Sequence, residues 1–231
     1  LDNFSLVIPI DTLQFPAKPS TLMAIKSVAK VLGCYLPVVD EQPPYYNQAT
    51  SLWQLSMSLD GSKAVGQLAN SGNPLHPLRE YLKERLFHNS DLHHYFTWVI
   101  AVANMVKPRK KQLSEMQKTL QQGDRELKKY FNQRLLILPV YHCAAPVHGQ
   151  VIKELFSLRL TFRRYLPFVA YANTWGLPAL VIPVAEDDNG LPIGIQIISR
   201  VGNEDAIFKL GEILERELRG YKRSHVEKNL V

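Results

Sequence analysis

The chain has 231 residues, 46% of them hydrophobic, which suffices for one compact domain or a large piece of a bigger one and excludes a disordered chain. Lys and Arg number 27 against 21 Asp and Glu, and the resulting net charge of +6 leaves steering of anions open without marking a nucleic-acid binder. Two cysteines, Cys34 and Cys143, are too few for a disulfide-stapled secreted fold. With no run of about 18 apolar residues to span a bilayer and no basic region in Leu1 to Ile10 to mark a signal peptide, they fit a soluble protein of the reducing cytoplasm.

In chain order, the apolar run Ser5 to Ile10 predicts a short buried strand. Pro19 and Ser20 open a helix whose apolar face carries Leu22, Ile25, Val28, Ala29 and Leu32, with Gly33 placed to end it in a left-handed cap. A second strand follows over Tyr35 to Val39. Strand, helix and strand at this spacing form a βαβ-type unit and argue for an α/β class with parallel pairing.

Beyond Pro43 and Pro44, Leu52, Leu55 and Leu59 stand at helical spacing, and a cluster of Gly, Asn, Ser and Pro marks a loop between Gly61 and Pro77. Leu78, Leu82 and Leu86, and then Tyr95 to Val106, give helical patterns expected to pack as a hairpin. From Leu113 a helix runs past Met116 and Leu120, bends near Gly123 and resumes with Leu127, Tyr130 and Phe131 on one face. Neither part holds enough heptads for a coiled coil.

The last hundred or so residues are the most legible. Leu135 to Val140 is a continuous apolar run, expected as a fully buried strand. Ala179 to Ala185 and Ile193 to Ser199 flank the turn Asp187-Asp188-Asn189-Gly190, where Asp and Asn-Gly serve the reversal rather than a carboxylate pair. Asn203 is placed to cap a final helix with Ile207, Leu210, Leu214 and Leu218 on its buried face and Gly220 at its end. There is no internal repeat and no low-complexity tract.

Several constellations invite chemistry and fall short. His88, His93 and His94 lie close together, but no pair has the i, i+4 spacing that brings two imidazoles to one ion, so no metal is expected. Cys143 sits between His142 and His148. Neighbouring side chains diverge in a strand, which favours a buried structural cysteine over a thiolate pair. Gly61 to Gly66 fails as a phosphate loop, since Gln67 and Leu68 replace the required Lys and Ser or Thr. The basic run Lys107 to Lys111 is diluted by Glu115, Asp124 and Glu126 and reads as a solvated helix entry.

One stretch remains: Asn173-Thr-Trp-Gly176-Leu-Pro178-Ala, an apolar strand ending at Pro183, Gly190-Leu-Pro192-Ile-Gly194-Ile-Gln196, and a capped helix carrying Leu214-Glu215. In that order these residues resemble the C-terminal end of the amidase-signature hydrolases. Leu136 to Pro139 with Ala144-Ala145-Pro146 is similar to that family's buried strand and following loop. Asn73-Pro74-Leu-His-Pro-Leu and the helices after it loosely resemble the fatty-acid amide hydrolase subgroup, and Ser5 to Val39 resembles the βαβ piece that begins the later half of a family chain. Pro139-Val140 departs from the family's usual Pro-Thr, which argues against a polar role there. On their own residues the matched positions have a physical reading: Gly176 and Gly194 allow unusual φ or close approach, Pro178 and Pro192 fix strand entries, and Gln196 points away from Ile195 and Ile197.

The resemblance implies an α/β fold with a mixed, largely parallel central sheet flanked by helices and incomplete in this chain, residues 1–231 being the C-terminal part of a single amidase-signature domain. It implies cleavage of amide C–N bonds without a cofactor, by a nucleophilic serine, a second serine and a lysine base, the serines in a Gly-Gly-Ser-Ser-Gly-Gly-like loop. That loop is absent from the sequence, Ser62 and Ser71 each having only one glycine neighbour, so no catalytic residue is assigned. The start at Leu1, running straight into an apolar stretch, fits a missing upstream segment. Phe168, Tyr171, Asn173 and Trp175 are the candidates for lining a pocket for the acyl or leaving group, against core packing as the alternative.

Three functional readings follow. The chain is the C-terminal portion of an amidase, supplying scaffold and part of the pocket for a small-molecule amide and silent without the rest. Alternatively it is a non-catalytic scaffolding or interaction protein derived from that fold, or a basic module using Lys107 to Lys111. If the central sheet is cut, strands such as Ala179 to Ala185 present unpaired edges and self-association is expected.

Overall fold

The computed structural model describes residues 1, 3–13, 16–93, 96–97, 100–101, 108–147, 150 and 161–223. The chain forms two compact units, Leu1–Thr50 with Gly123–Val231, and Ser51–Gln122.

The first unit is built on a five-stranded mixed sheet in the order β2-β1-β3-β5-β4, from β1 (Ser5–Val7), β2 (Val38–Val39), β3 (Arg134–Pro139), β4 (Ala179–Glu186) and β5 (Pro192–Ile198). Parallel pairing is confined to β2-β1-β3, and β3-β5-β4 is antiparallel. The continuous apolar runs take the centre, as burial on both faces requires: Leu6, Val7 and Leu135 to Leu138 are fully buried. The first strand is shorter than its apolar run because Pro9 has no N–H for a ladder and the chain turns into α1 (Ile10–Leu13). Asp40 holds that turn by accepting hydrogen bonds from the amides of Asp11 and Thr12 at 2.8 and 3.1 Å.

Helix α2 (Pro19–Leu32) carries the expected apolar face, but Gly33 is right-handed with φ −62°, not a left-handed cap. The chain keeps turning, the amides of Cys34, Tyr35 and Leu36 still bonding back to Val31 and Leu32. Helix α8 (Glu204–Glu217) packs on β4, β5 and α2. Leu180 of β4 lies against Gly211 of α8, which places α2 and α8 on the face of the sheet shared by Leu180 and its partner Ile197. Between β4 and β5 the turn works as expected: Asp187 Oδ1 accepts from the amides of Asn189 and Leu191 at 3.0 and 2.9 Å, and Gly190 takes φ +74°.

Asn203 occupies the cap position of α8, yet its side chain makes no cap bond. Its Nδ2 instead donates to the Phe131 carbonyl at 2.9 Å and to Ser199 Oγ at 2.9 Å, and Ser199 Oγ donates to the Arg134 carbonyl at 2.7 Å. The residue therefore ties the end of β5 to the entry of β3.

The second unit is helical among its described residues. Helix α3 (Tyr46–Ser56), whose first residues belong to the first unit, passes into a π-turn over Met57–Gly61 and then α4 (Ser62–Ala69). The loop expected from Gly61 thus begins only at Asn70, because the wider π-turn absorbs Gly61 into the helical run. Helix α5 (Pro77–Phe87) forms, but Leu78, Leu82 and Leu86 are exposed rather than packed as a hairpin face. Most of the Tyr95 to Val106 pattern lies outside the described residues.

Helix α6 (Lys110–Tyr130) runs unbroken through Gly123. The glycine is there for space, not for a bend: a Cβ at 123 would overlap the indole ring of Trp175.

Asn203→Ala should lower stability by about 1–3 kcal/mol in urea denaturation. Asn203→Asp, an equally good helix cap, should cost at least as much because it places an acceptor against the Phe131 carbonyl; a neutral Asp variant would return the residue to a capping role.

Candidate functional site

The pairing changes from parallel to antiparallel at β3, and the chain leaves that strand through a bent loop, residues 140–146. There, at the carboxyl end of a central strand, is a cavity of about 350 Å³ lined by Val140, Tyr141, Cys143, Ala144, Ala145 and Pro146, by Val181 and Pro183 of β4, and by Pro192 and Gly194 of β5. The wall is almost wholly apolar, and among the described residues no acidic or basic side chain belongs to it. Gly194 faces Val140 so closely that a Cβ would stand 3.3 Å from Val140 Cγ2, so the family-like glycine has a steric reason.

Cys143 and His142 do not diverge as neighbours in a strand do, because β3 ends at Pro139 and the loop bends through them. Cys143 Sγ lies 3.8 Å from His142 Nε2, and both residues are buried. The imidazole is stacked on Tyr165 at 3.8 Å between centroids and 22° between planes. Its backbone carbonyl accepts a hydrogen bond from the Lys18 amide at 2.8 Å, which pins the loop. Sequence reasoning left this wall unassigned, although Ala144-Ala145-Pro146 directly after a buried strand was the available signal.

The four pocket candidates all lie on α7 (Thr161–Trp175) and separate in space. Phe168 and Tyr171 are fully buried and Trp175 nearly so, whereas Asn173 is exposed and donates from Nδ2 back to the Val169 carbonyl at 2.9 Å. Tyr171 and Trp175 come together with the segment before α3: the Tyr171 hydroxyl donates to the Pro44 carbonyl at 2.9 Å, and the Trp175 ring is 5.3 Å from that of Tyr45. Trp175 Nε1 is buried with no acceptor among the described residues. None of the four lines the cavity at β3. Phe168 reaches it indirectly, its ring 6.5 Å from that of Tyr165, on which His142 stacks.

Gln196 joins these parts. Its Nε2 donates to the Pro139 carbonyl at 3.1 Å and to the Phe168 carbonyl at 2.6 Å, fixing the end of β3 and the middle of α7 to β5. The amide does point away from Ile195 and Ile197, as the alternation required, but into a buried backbone junction.

The aromatic hydroxyls nearby hold their protons tightly. Burial pushes the phenols of Tyr46 and Tyr171 well above their ordinary value, and Tyr130 is raised by burial and by its hydrogen bond to Glu41. Tyr45 is pushed up to about 12 chiefly by donating to Glu126 at 2.6 Å. A base operating near neutrality needs a pKa near the working pH, so none of these tyrosines fills that role.

The other sequence candidates stay apart. Among the described residues no group of His, Cys, Asp and Glu could hold a metal ion; His94 and His148 lie outside those residues, as does Lys107 of the basic run. Lys110 and Lys111 are exposed at the start of α6, with Lys111 4.0 Å from Glu115. Among the described residues no helix is long and apolar enough to cross a membrane.

Residues 6–208 match the amidase family. The chain belongs to that family. Its sequence is 43% identical to a glutamyl-tRNA(Gln) amidotransferase subunit of Rhodopseudomonas palustris (strain TIE-1) over 49 residues, which is 21% of this chain and 10% of that protein. The corresponding subunit of Bradyrhizobium sp. (strain ORS 278) is 41% identical over the same length. Among solved structures, 6-aminohexanoate cyclic dimer hydrolase superimposes with a TM-score of 0.63 at 18% identity, covering 93% of this chain and 45% of that one. An amidase gives 0.65 at 17%, covering 94% and 46%, and the corresponding amidotransferase subunit of Thermotoga maritima gives 0.61 at 18%, covering 93% and 42%. The fold is the amidase fold, and this chain spans less than half the length of these solved relatives.

Gln196→Leu should lower stability by about 1–3 kcal/mol, since two backbone carbonyls lose a buried donor. The chain should also lose stability at high pH: phenols whose folded pKa is raised contribute fully below the unfolded value near 10 and lose that contribution as pH climbs through the folded value. Ultraviolet titration should show some tyrosines ionising only with unfolding; smooth ionisation of all tyrosines near pH 10, without unfolding, would contradict the burial described.

Proposed function

We propose that this chain supplies the C-terminal portion of an amidase-signature hydrolase that cleaves amide C–N bonds, giving it scaffold and part of the substrate pocket. The observation that carries the reading is the family match over residues 6–208 in a chain that covers 45% of a solved relative and contains no Gly-Gly-Ser-Ser-like loop. On this reading the serines and the lysine base come from outside these residues, and the chain alone is catalytically silent. Two cysteines in 231 residues suit a reducing cytoplasmic setting.

The cavity at the end of β3 is the part of the pocket we assign to this chain. Its apolar wall suits an uncharged, apolar acyl or leaving group, and with the loose likeness of Asn73 to Leu78 to the fatty-acid amide hydrolases it favours amides of apolar acids. Of the four α7 candidates we assign exposed Asn173 to substrate in the joined enzyme, away from that cavity; Trp175 is buried, its Nε1 without an acceptor among the described residues. Phe168 backs the wall through Tyr165, and Tyr171 anchors α7 to the Pro44 carbonyl.

The test is an assay of the chain on aryl and long-chain amides, alone and co-expressed with the segment of an amidase that carries the serine loop. No turnover alone and turnover on co-expression is the expected result; appreciable hydrolysis by the chain alone overturns the reading. A second expectation comes from β4, the outer strand of the described sheet, whose Val181 is exposed. Sedimentation velocity of the chain alone should show association, relieved by the co-expressed segment.

A further inference from the structure

We propose that Cys143 is an electrophile-accepting thiol on the wall of the β3 cavity, with His142 as its base and small uncharged α,β-unsaturated carbonyl compounds as its ligand class. Three observations converge on it. Cys143 lines the cavity, lies outside any disulfide, and has His142 Nε2 3.8 Å from its sulfur. The imidazole is held in place by stacking on Tyr165 and by the Lys18 amide on its carbonyl, so the pair keeps its geometry without a ligand. Ala144, Ala145, Pro183 and Gly194 share the cavity wall with Cys143 and offer no charge to hold an ionised compound.

The step balances without an oxidant or a second reactant. Nε2 of the neutral imidazole takes the thiol proton, and the sulfur forms a bond to the β-carbon of the ligand as its C=C π bond breaks. The enolate so formed recovers the proton at its α-carbon from the imidazolium, leaving a thioether and a neutral histidine. Cys34 provides a reference within the same molecule: it is exposed, and its thiol donates to the Lys30 carbonyl at 3.5 Å.

The experiment treats the native chain with N-ethylmaleimide and, separately, with a maleimide bearing a carboxylate, and follows adduct formation at both cysteines by peptide mass spectrometry. Cys143 should react with the neutral probe at least as fast as Cys34 despite its burial, and the carboxylate should slow Cys143 relative to Cys34. His142→Gln should slow Cys143 by at least roughly tenfold and leave Cys34 unchanged. Should that variant not fold, Ala145→Phe fills the cavity and should produce the same selective loss. Labelling of Cys143 only after denaturation, equal reactivity toward both probes, or an unchanged rate in either folded variant overturns the proposal. The readout does not involve amide hydrolysis, so it fails or holds independently of the proposed function.

Discussion

The side-chain amide of Gln196 is the constraint around which the larger unit is organised. It sits in β5, between β3 and β4, and its two donor bonds run to the carbonyls of Pro139 and Phe168. Those acceptors belong to the last residue of a central strand and the middle of a helix on the face opposite α2 and α8. An apolar residue at 196 could fill the space, but it could not specify both distances. Buried polar contacts of this kind fix a unique arrangement where hydrophobic burial alone tolerates sliding. Because Pro139 is where the chain leaves β3, the same amide also determines where the cavity-lining loop begins.

From that junction the cavity follows as a consequence of topology. A parallel neighbour on one side of β3 and an antiparallel neighbour on the other leave the carboxyl end of the strand beside β5 and the Pro183 irregularity of β4. Proline at 183 cannot donate to a ladder, and the register shifts between Pro183 and Ala185. Gly194 opposite Pro183 removes a side chain at the same level, so Val140 can approach and the loop can turn. The recurrent Gly and Pro positions that made the sequence look family-like thus shape one wall.

What could be read from the sequence was what is encoded locally. β3, the β4–β5 hairpin and α8 were legible because continuous apolar runs, an Asp-Asp-Asn-Gly turn and a helical period each need only a few consecutive residues. Gly123 and Asn203 differ from the local reading for a shared reason: a residue suited to a cap or a bend is equally suited to a tertiary role. Gly123 makes room for Trp175, and the Asn203 amide bonds a carbonyl 72 residues away. Local spacing contains no trace of such partners. The His142 and Cys143 contact was hidden similarly, since strand alternation applies only while the strand continues, and it stops at Pro139.

The distribution of polar chemistry points to what this unit contributes. Its phenols are spent on holding elements together: buried Tyr171 on the Pro44 carbonyl, half-buried Tyr130 on Glu41, and Tyr45 on Glu126. Each such bond favours the protonated phenol, and burial acts in the same direction. Around the cavity, by contrast, the wall is apolar apart from Tyr141 and Cys143. A surface of this composition can exclude water and position an apolar group, and it strengthens the electrostatics of any charged chemistry brought to its mouth. Among the described residues this wall carries no acidic or basic side chain to meet the charge that develops as an amide bond breaks. On the proposed function, this apolar wall positions the substrate and the nucleophile is supplied separately.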